Sequence, residues 1–102
     1  MSNDKLLSFL GLCRRAGKMT IGNAAVAEEI NNGESCLVLL ASDISPRTEK
    51  EICEKAVQGN VKIIKLLQKK QQISNALGKL AAVISINDTG FAEKIVKLTG
   101  NE

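Results

Sequence analysis

Residues 36–46 read Cys36-Leu37-Val38-Leu39-Leu40-Ala41-Ser42-Asp43-Ile44-Ser45-Pro46. The stretch from Cys36 to Ala41 is apolar without alternation, the pattern of a strand covered on both faces of its sheet. Ser45 and Pro46 then supply a helix start. The serine hydroxyl can cap free backbone N–H groups, and the proline sits at the first helical position, where no N–H is needed. A buried strand feeding directly into a helix is the unit from which α/β proteins are built.

Working outward, the helix after Pro46 is expected to reach about Gln58, with Ile52, Cys53, Ala56 and Val57 inward and Gly59-Asn60 as its stop. Val61–Leu66 reads as a strand, Lys69–Leu77 as a short helix stopped at Gly78, and Ala81–Ile86 as another strand. Asp88 caps a last helix that carries Phe91, Ile95 and Leu98 on one face. Toward the N-terminus, Gly22 and Asn23 open a helix with Val26, Ala27 and Ile30 inward and Gly33 as its stop. Met19–Ile21 is a short extended piece. Residues 4–16 form the first helix, capped by Asp4, with Leu6, Leu7, Leu10 and Cys13 on one stripe and Gly17 closing it. The order α-β-α-β-α-β-α-β-α predicts a single-domain α/β sandwich over residues 1–102, with helices on both faces of the sheet. At 102 residues and 44% hydrophobic, the chain can bury a real core, and it shows neither linker nor repeat.

Composition removes several functions. There is no His, Trp or Tyr, and Phe9 and Phe91 are the only aromatics. No Ser–His or Cys–His nucleophile pair and no imidazole metal site can be built. Two phenylalanines make a poor platform for stacking single-stranded bases. Cys13, Cys36 and Cys53 are odd in number and scattered through apolar surroundings, which reads as small buried thiols in a reducing cytosol. The longest apolar runs, Leu37–Ala41 and Leu80–Ile84, fall far short of a membrane span, and no signal-peptidase site is apparent. A soluble cytoplasmic protein is expected, without a membrane partner.

Candidate chemistry fails on spacing. Five residues separate Gly11 from Gly17-Lys18 where a phosphate-binding loop needs four, and Gly11 falls inside a helix. None of the three cysteines has the arginine six residues on that a cysteine phosphatase needs. Asp43, at the carboxyl edge of the central strand, reads foremost as a turn residue bonding backbone groups, and no second acid is placed to pair with it. The expectation is no enzyme, no cofactor, no metal and no small-molecule substrate.

Charge is patterned along the chain. Lys5, Arg14, Arg15 and Lys18 face only Asp4 within residues 1–22, and Lys62, Lys65, Lys69, Lys70 and Lys79 face no acid within residues 61–80. Between them, residues 23–60 hold seven acids against three cations. A fold that joins the basic segments gives a positive face for a phosphate-rich partner.

Gly17-Lys18-Met19-Thr20-Ile21-Gly22, the helix after it, Gly33, and the run from Cys36 to Pro46 resemble the ribosomal L7Ae/L30e superfamily, whose members bind kink-turn RNA. Leu10-Gly11-Leu12-Cys13-Arg14-Arg15-Ala16-Gly17-Lys18 and Asn87-Asp88-Thr89-Gly90-Phe91-Ala92 resemble its bacterial branch called YlxQ, small ribosomal-protein-like proteins. The resemblance covers most of the chain. It implies a three-layer α/β/α sandwich on a mixed sheet of about four strands. RNA is then expected on the start of the second helix and on the loop before the last strand, about Leu77 to Ala82.

The family's recognition motif is Gly-x-Asn-Glu-x-x-Lys, and here it departs. Gly22 is kept, but Ala24 and Ala25 stand at the Asn and Glu positions and Glu28 at the Lys position. An alanine cannot hydrogen-bond a base edge, and an acid repels phosphate. Asn23 reads first as the cap of the second helix and otherwise as a replacement shifted by one residue. The expected RNA-binding set is Arg14, Arg15, Lys18, Gly22, Asn23, Lys79, Leu80 and Ala81, on a monomer associated with a ribosome or ribonucleoprotein. The rival reading is a protein-interaction or regulatory module that keeps the fold and has lost RNA.

Overall fold

A computed structural model describes residues 2–100, with side chains over residues 5–100. The elements are α1 (Ser2–Arg15), β1 (Met19–Ile21), α2 (Asn23–Asn31), β2 (Leu37–Leu40), α3 (Pro46–Gln58), β3 (Ile63–Lys65), α4 (Lys70–Leu77), β4 (Val83–Ile86) and α5 (Thr89–Leu98). The expected alternation is present; β1 keeps its expected bounds, β2 and β3 are shorter by one or two residues at each end, and β4 starts two residues later. The expected Asp4 cap lies outside the described side chains. At the other end of α1, Gly17 N donates to Arg14 O at 3.0 Å and Lys18 N to Cys13 O at 3.0 Å. That paired pattern satisfies two of the terminal carbonyls and turns the chain back into β1.

The sheet order is β1-β4-β2-β3. β4 is antiparallel to both β1 and β2, whereas β3 runs parallel to β2, so the sheet is mixed. Residues alternate across β2 and β4. Leu37, Leu39, Ile84 and Ile86 join Leu6, Leu10, Cys13, Ile73, Leu77, Ala92 and Ile95 from α1, α4 and α5. Val38, Leu40 and Val83 join Val26, Ile30, Ile52 and Ala56 from α2 and α3 on the opposite face. This is why β2 reads as an unbroken apolar run and every residue of β4 is buried: each strand has a helix layer on either side. Burying each such Leu, Ile or Val contributes roughly 1.5–3 kcal/mol. A Cβ on Gly59 would stand 2.6 Å from Ile30 Cγ2, so the end of α3 meets α2 there through a bare backbone.

Ser85 breaks the apolar register of β4 and is fully buried. Its oxygen lies 2.7 Å from Ser35 Oγ and 2.6 Å from Asn87 Oδ1, and Asn87 Nδ2 donates to Thr20 Oγ1 at 2.9 Å. The string satisfies the buried hydroxyl and ties β1 to β4.

Three expectations need correction. Val57 is 78% exposed, not inward: the buried stripe of α3 is carried by Ile52 and Ala56, and Val57 falls one residue off it near the helix end. Cys13 is buried, but Cys36 and Cys53 are only partly so, since each lies at the margin of its apolar cluster. Asn23 does not cap α2, because the cap position is occupied by Gly22 and Asn23 is already helical.

Candidate nucleic-acid interface

The edge of the sheet formed by the end of β1, the start of β4 and the ends of β2 and β3 carries the expected site. Backbone hydrogen bonds run along it: Gly22 N to Val83 O at 3.0 Å, Ala41 N to Ala82 O at 2.9 Å, and Ser42 N to Gln68 O at 2.9 Å. The start of α2 and the loop of residues 78–82 are thereby held side by side.

Gly22 turns the chain from β1 into α2 with φ 111 and ψ 146, a conformation open in practice only to glycine. No side chain caps α2, and its first turn holds no acid. The exposed residues Asn23, Ala24 and Ala25 therefore present a helix start whose N–H groups and partial positive charge point outward.

The loop opposite is anchored at both ends. Gly78, in the left-handed conformation, closes α4 by donating its N–H to Ser74 O at 2.7 Å, and Ala81 N donates to Ser74 Oγ at 3.1 Å. Between these anchors Lys79 is exposed and Leu80 is 77% exposed. An apolar side chain so open, next to a cation and a helix start, offers a contact for a base or sugar face. Ala81 is a correction: it is 1% exposed, its methyl belongs to the core, and its part in the loop is to hold the backbone.

The remaining cations separate. Arg14 reaches the loop and donates from Nη1 to Leu77 O. Arg15 lies back along α1 over Gly11 and lines the surface shared with Ala76 of α4 and Lys94 and Leu98 of α5. Lys18 stands at the far end of β1, where its carbonyl accepts from Asn87 N at 2.9 Å, four residues and about 13 Å of extended chain from Gly22. Lys65, from the second basic segment, is drawn away to Glu49 on α3 at 3.0 Å. Thus Gly22 and Asn23 stand beside the loop that bears Lys79 and Leu80, Arg14 touches the root of that loop at Leu77, and Lys18 stands at the other end of β1 from Gly22.

Two side chains support this edge in ways the sequence did not show. Asp43 bonds a backbone group as expected, but in another helix: its Oδ1 accepts from Lys70 N at 2.8 Å and so satisfies the start of α4. Ser74 anchors Ala81 from mid-helix, and no local signal marks it. Elsewhere, burial and the nearby Asp88 carboxylate push the Cys13 thiol up to about 11, partly offset by a backbone hydrogen bond. Burial likewise raises Cys53, so neither thiol is an activated nucleophile. Among the described residues, no cluster of His, Cys, Asp and Glu could hold a metal ion, and no helix is long and apolar enough to cross a membrane.

Fold and edge together define a small α/β/α module in which an uncapped helix start stands beside an anchored loop. The chain belongs to the ribosomal protein L7Ae/L30e/S12e/Gadd45 family, whose model matches residues 4–96. It is 34% identical over 99 residues to the RNA-binding protein YlxQ of Bacillus subtilis (strain 168), covering 96% of this chain and 98% of that one. It is 31% identical over 97 residues to the RNA-binding protein YlxQ of Enterococcus faecium, covering 95% and 93%. Among solved structures, a protein of unknown function from Bacillus halodurans superposes with a TM-score of 0.88 at 32% identity, over 94% of this chain and 97% of that one. A Giardia lamblia 15.5kD RNA binding protein superposes with a TM-score of 0.78 at 16% identity, over 97% and 85%, a likeness of fold.

Proposed function

We propose that this chain is a non-enzymatic RNA-binding protein that grips folded RNA through backbone and phosphate contacts at the sheet edge. The observation that carries this reading is the Gly22 N to Val83 O bond, which sets the uncapped start of α2 beside the loop bearing Lys79 and Leu80. Family membership and the names of the bacterial relatives support RNA as the partner over the protein-interaction alternative. The N–H groups of α2 meet phosphate oxygens, Lys79 adds charge, Leu80 packs on an exposed base or sugar, and Arg15 meets phosphate at the periphery. Both halves of the site come from one chain, so a monomer suffices. Lys18 is left out of the core contact, because β1 carries it away from Gly22.

Ala24, Ala25 and Glu28 are exposed on α2 and supply none of the polar side chains of the family's reading motif. Recognition therefore rests on shape and phosphate geometry, with a cytoplasmic ribosomal or ribonucleoprotein RNA as the natural class of partner. The test is titration of a kink-turn RNA and a plain stem–loop across a salt series. The two should bind within a few-fold of each other, and affinity should fall steeply with salt by counterion release. Lys79→Ala should flatten the slope of log K against log salt by roughly 0.7–0.9 on both RNAs. Salt-independent binding, or tight kink-turn binding with a poor stem–loop, overturns the reading.

A further inference from the structure

We infer that Arg14 is a positioning residue, clamping the loop of residues 78–82 against the end of α1 rather than contacting RNA phosphate itself. The inference rests on the reading of that loop as an RNA contact. Its physical basis is the meeting of two helix ends. Leu77 O is among the last carbonyls of α4, which have no donor within the helix, and the C-terminal end of a helix carries partial negative charge. Arg14 lies in the last turn of α1 and sends Nη1 across to that carbonyl, a bond spanning 63 residues of sequence. The same nitrogen stands 3.8 Å from the point a Cβ on Gly78 would occupy, so the guanidinium rests against the turn at the root of the loop.

The clamp completes the anchoring. The far end of the loop is tied by Ala81 N to Ser74 Oγ at 3.1 Å, Ala41 N to Ala82 O at 2.9 Å and Gly22 N to Val83 O at 3.0 Å. The near end has Gly78 N to Ser74 O at 2.7 Å and, from outside α4, Arg14. Lys79 and Leu80 project between these ties. Releasing the Arg14 tie lets the end of α4 fray and spreads Lys79 and Leu80 over more positions, so part of the binding free energy goes into reordering them. Arg15 provides the contrast. Its guanidinium lies along its own helix, with Nη1 3.4 Å from the point a Cβ on Gly11 would occupy.

The experiment compares Arg14→Ala with Arg15→Ala in the full chain, by amide hydrogen exchange without RNA and by stem–loop titration over a salt series. Arg14 is exposed, so its truncation leaves the core intact. Arg14→Ala should speed exchange at Gly78 and Ala81 by about tenfold, the order expected for losing a hydrogen bond from a charged donor. It should weaken RNA binding several-fold at every salt concentration with the slope unchanged. Arg15→Ala should leave exchange at Gly78 and Ala81 unaltered and flatten the slope by roughly one phosphate contact, ~0.7–0.9. Unchanged exchange in Arg14→Ala, or a slope flattened as in Arg15→Ala, overturns the clamp. Absence of RNA binding by the unmodified protein would instead defeat the functional reading, and the exchange measurement would still decide whether Arg14 holds the loop.

Discussion

Replacing Gly22 by alanine isolates the cost of the turn that opens α2. The backbone there is at φ 111 and ψ 146, and a Cβ would meet nothing within 4 Å. Steric collision with neighbours is therefore absent, and the whole penalty is local conformational energy. A side chain held in such a region costs on the order of 1–3 kcal/mol. Against this, alanine stiffens the unfolded chain and recovers roughly 0.4–1 kcal/mol. A net loss of about 1–2 kcal/mol is expected, or a fall in melting temperature of ~5–10 °C for a domain of this size. Urea unfolding followed by far-UV circular dichroism should show a lower midpoint with an unchanged m-value. Gly17→Asn is the control. Gly17 has φ +74, also with open space around it, and this ordinary left-handed position accepts asparagine far better than most residues. Gly17→Asn should be nearly neutral, while Gly22→Asn should cost as much as Gly22→Ala. Equal effects of asparagine at the two glycines, or a Gly22→Ala loss below about 0.5 kcal/mol, would refute backbone strain as the reason for glycine at this turn.

Asp43→Ala should remove the acceptor for Lys70 N and destabilise the protein by about 0.5–2 kcal/mol, read from the denaturation midpoint. Asp43→Asn, which keeps an oxygen at the same reach, should recover most of that loss. The Cys13 thiol, pushed up to about 11 from 9.0, binds its proton more tightly in the folded chain than in the unfolded one. Its contribution is therefore complete below pH 9 and lost as pH climbs toward 11. The difference in stability between the unmodified protein and Cys13→Ala should narrow over that interval, and a difference constant with pH would exclude the effect.

Local physics wrote most of the fold into the sequence. The unbroken run at Leu37–Leu40, the Ser45-Pro46 start, the glycine stops and the apolar stripes of each helix need only neighbours within a few residues, so they are legible in order. Gly22 at the opening of α2 was legible through the family motif, as were the alanines at the positions of its reading side chains. What lay beyond reach depends on the strand order β1-β4-β2-β3, because only that order decides which distant segments share an edge. It brings Val83 to Gly22, Gln68 to Ser42 and the start of α4 to Asp43. It also turns Lys65 toward Glu49, away from the cations with which the charge pattern had grouped it. Arg14 and Arg15 are adjacent and chemically identical, yet one meets the end of α4 and the other lies over Gly11. A turn of about 100° between successive helical residues gives them different neighbours, and those neighbours exist only once the helices have packed.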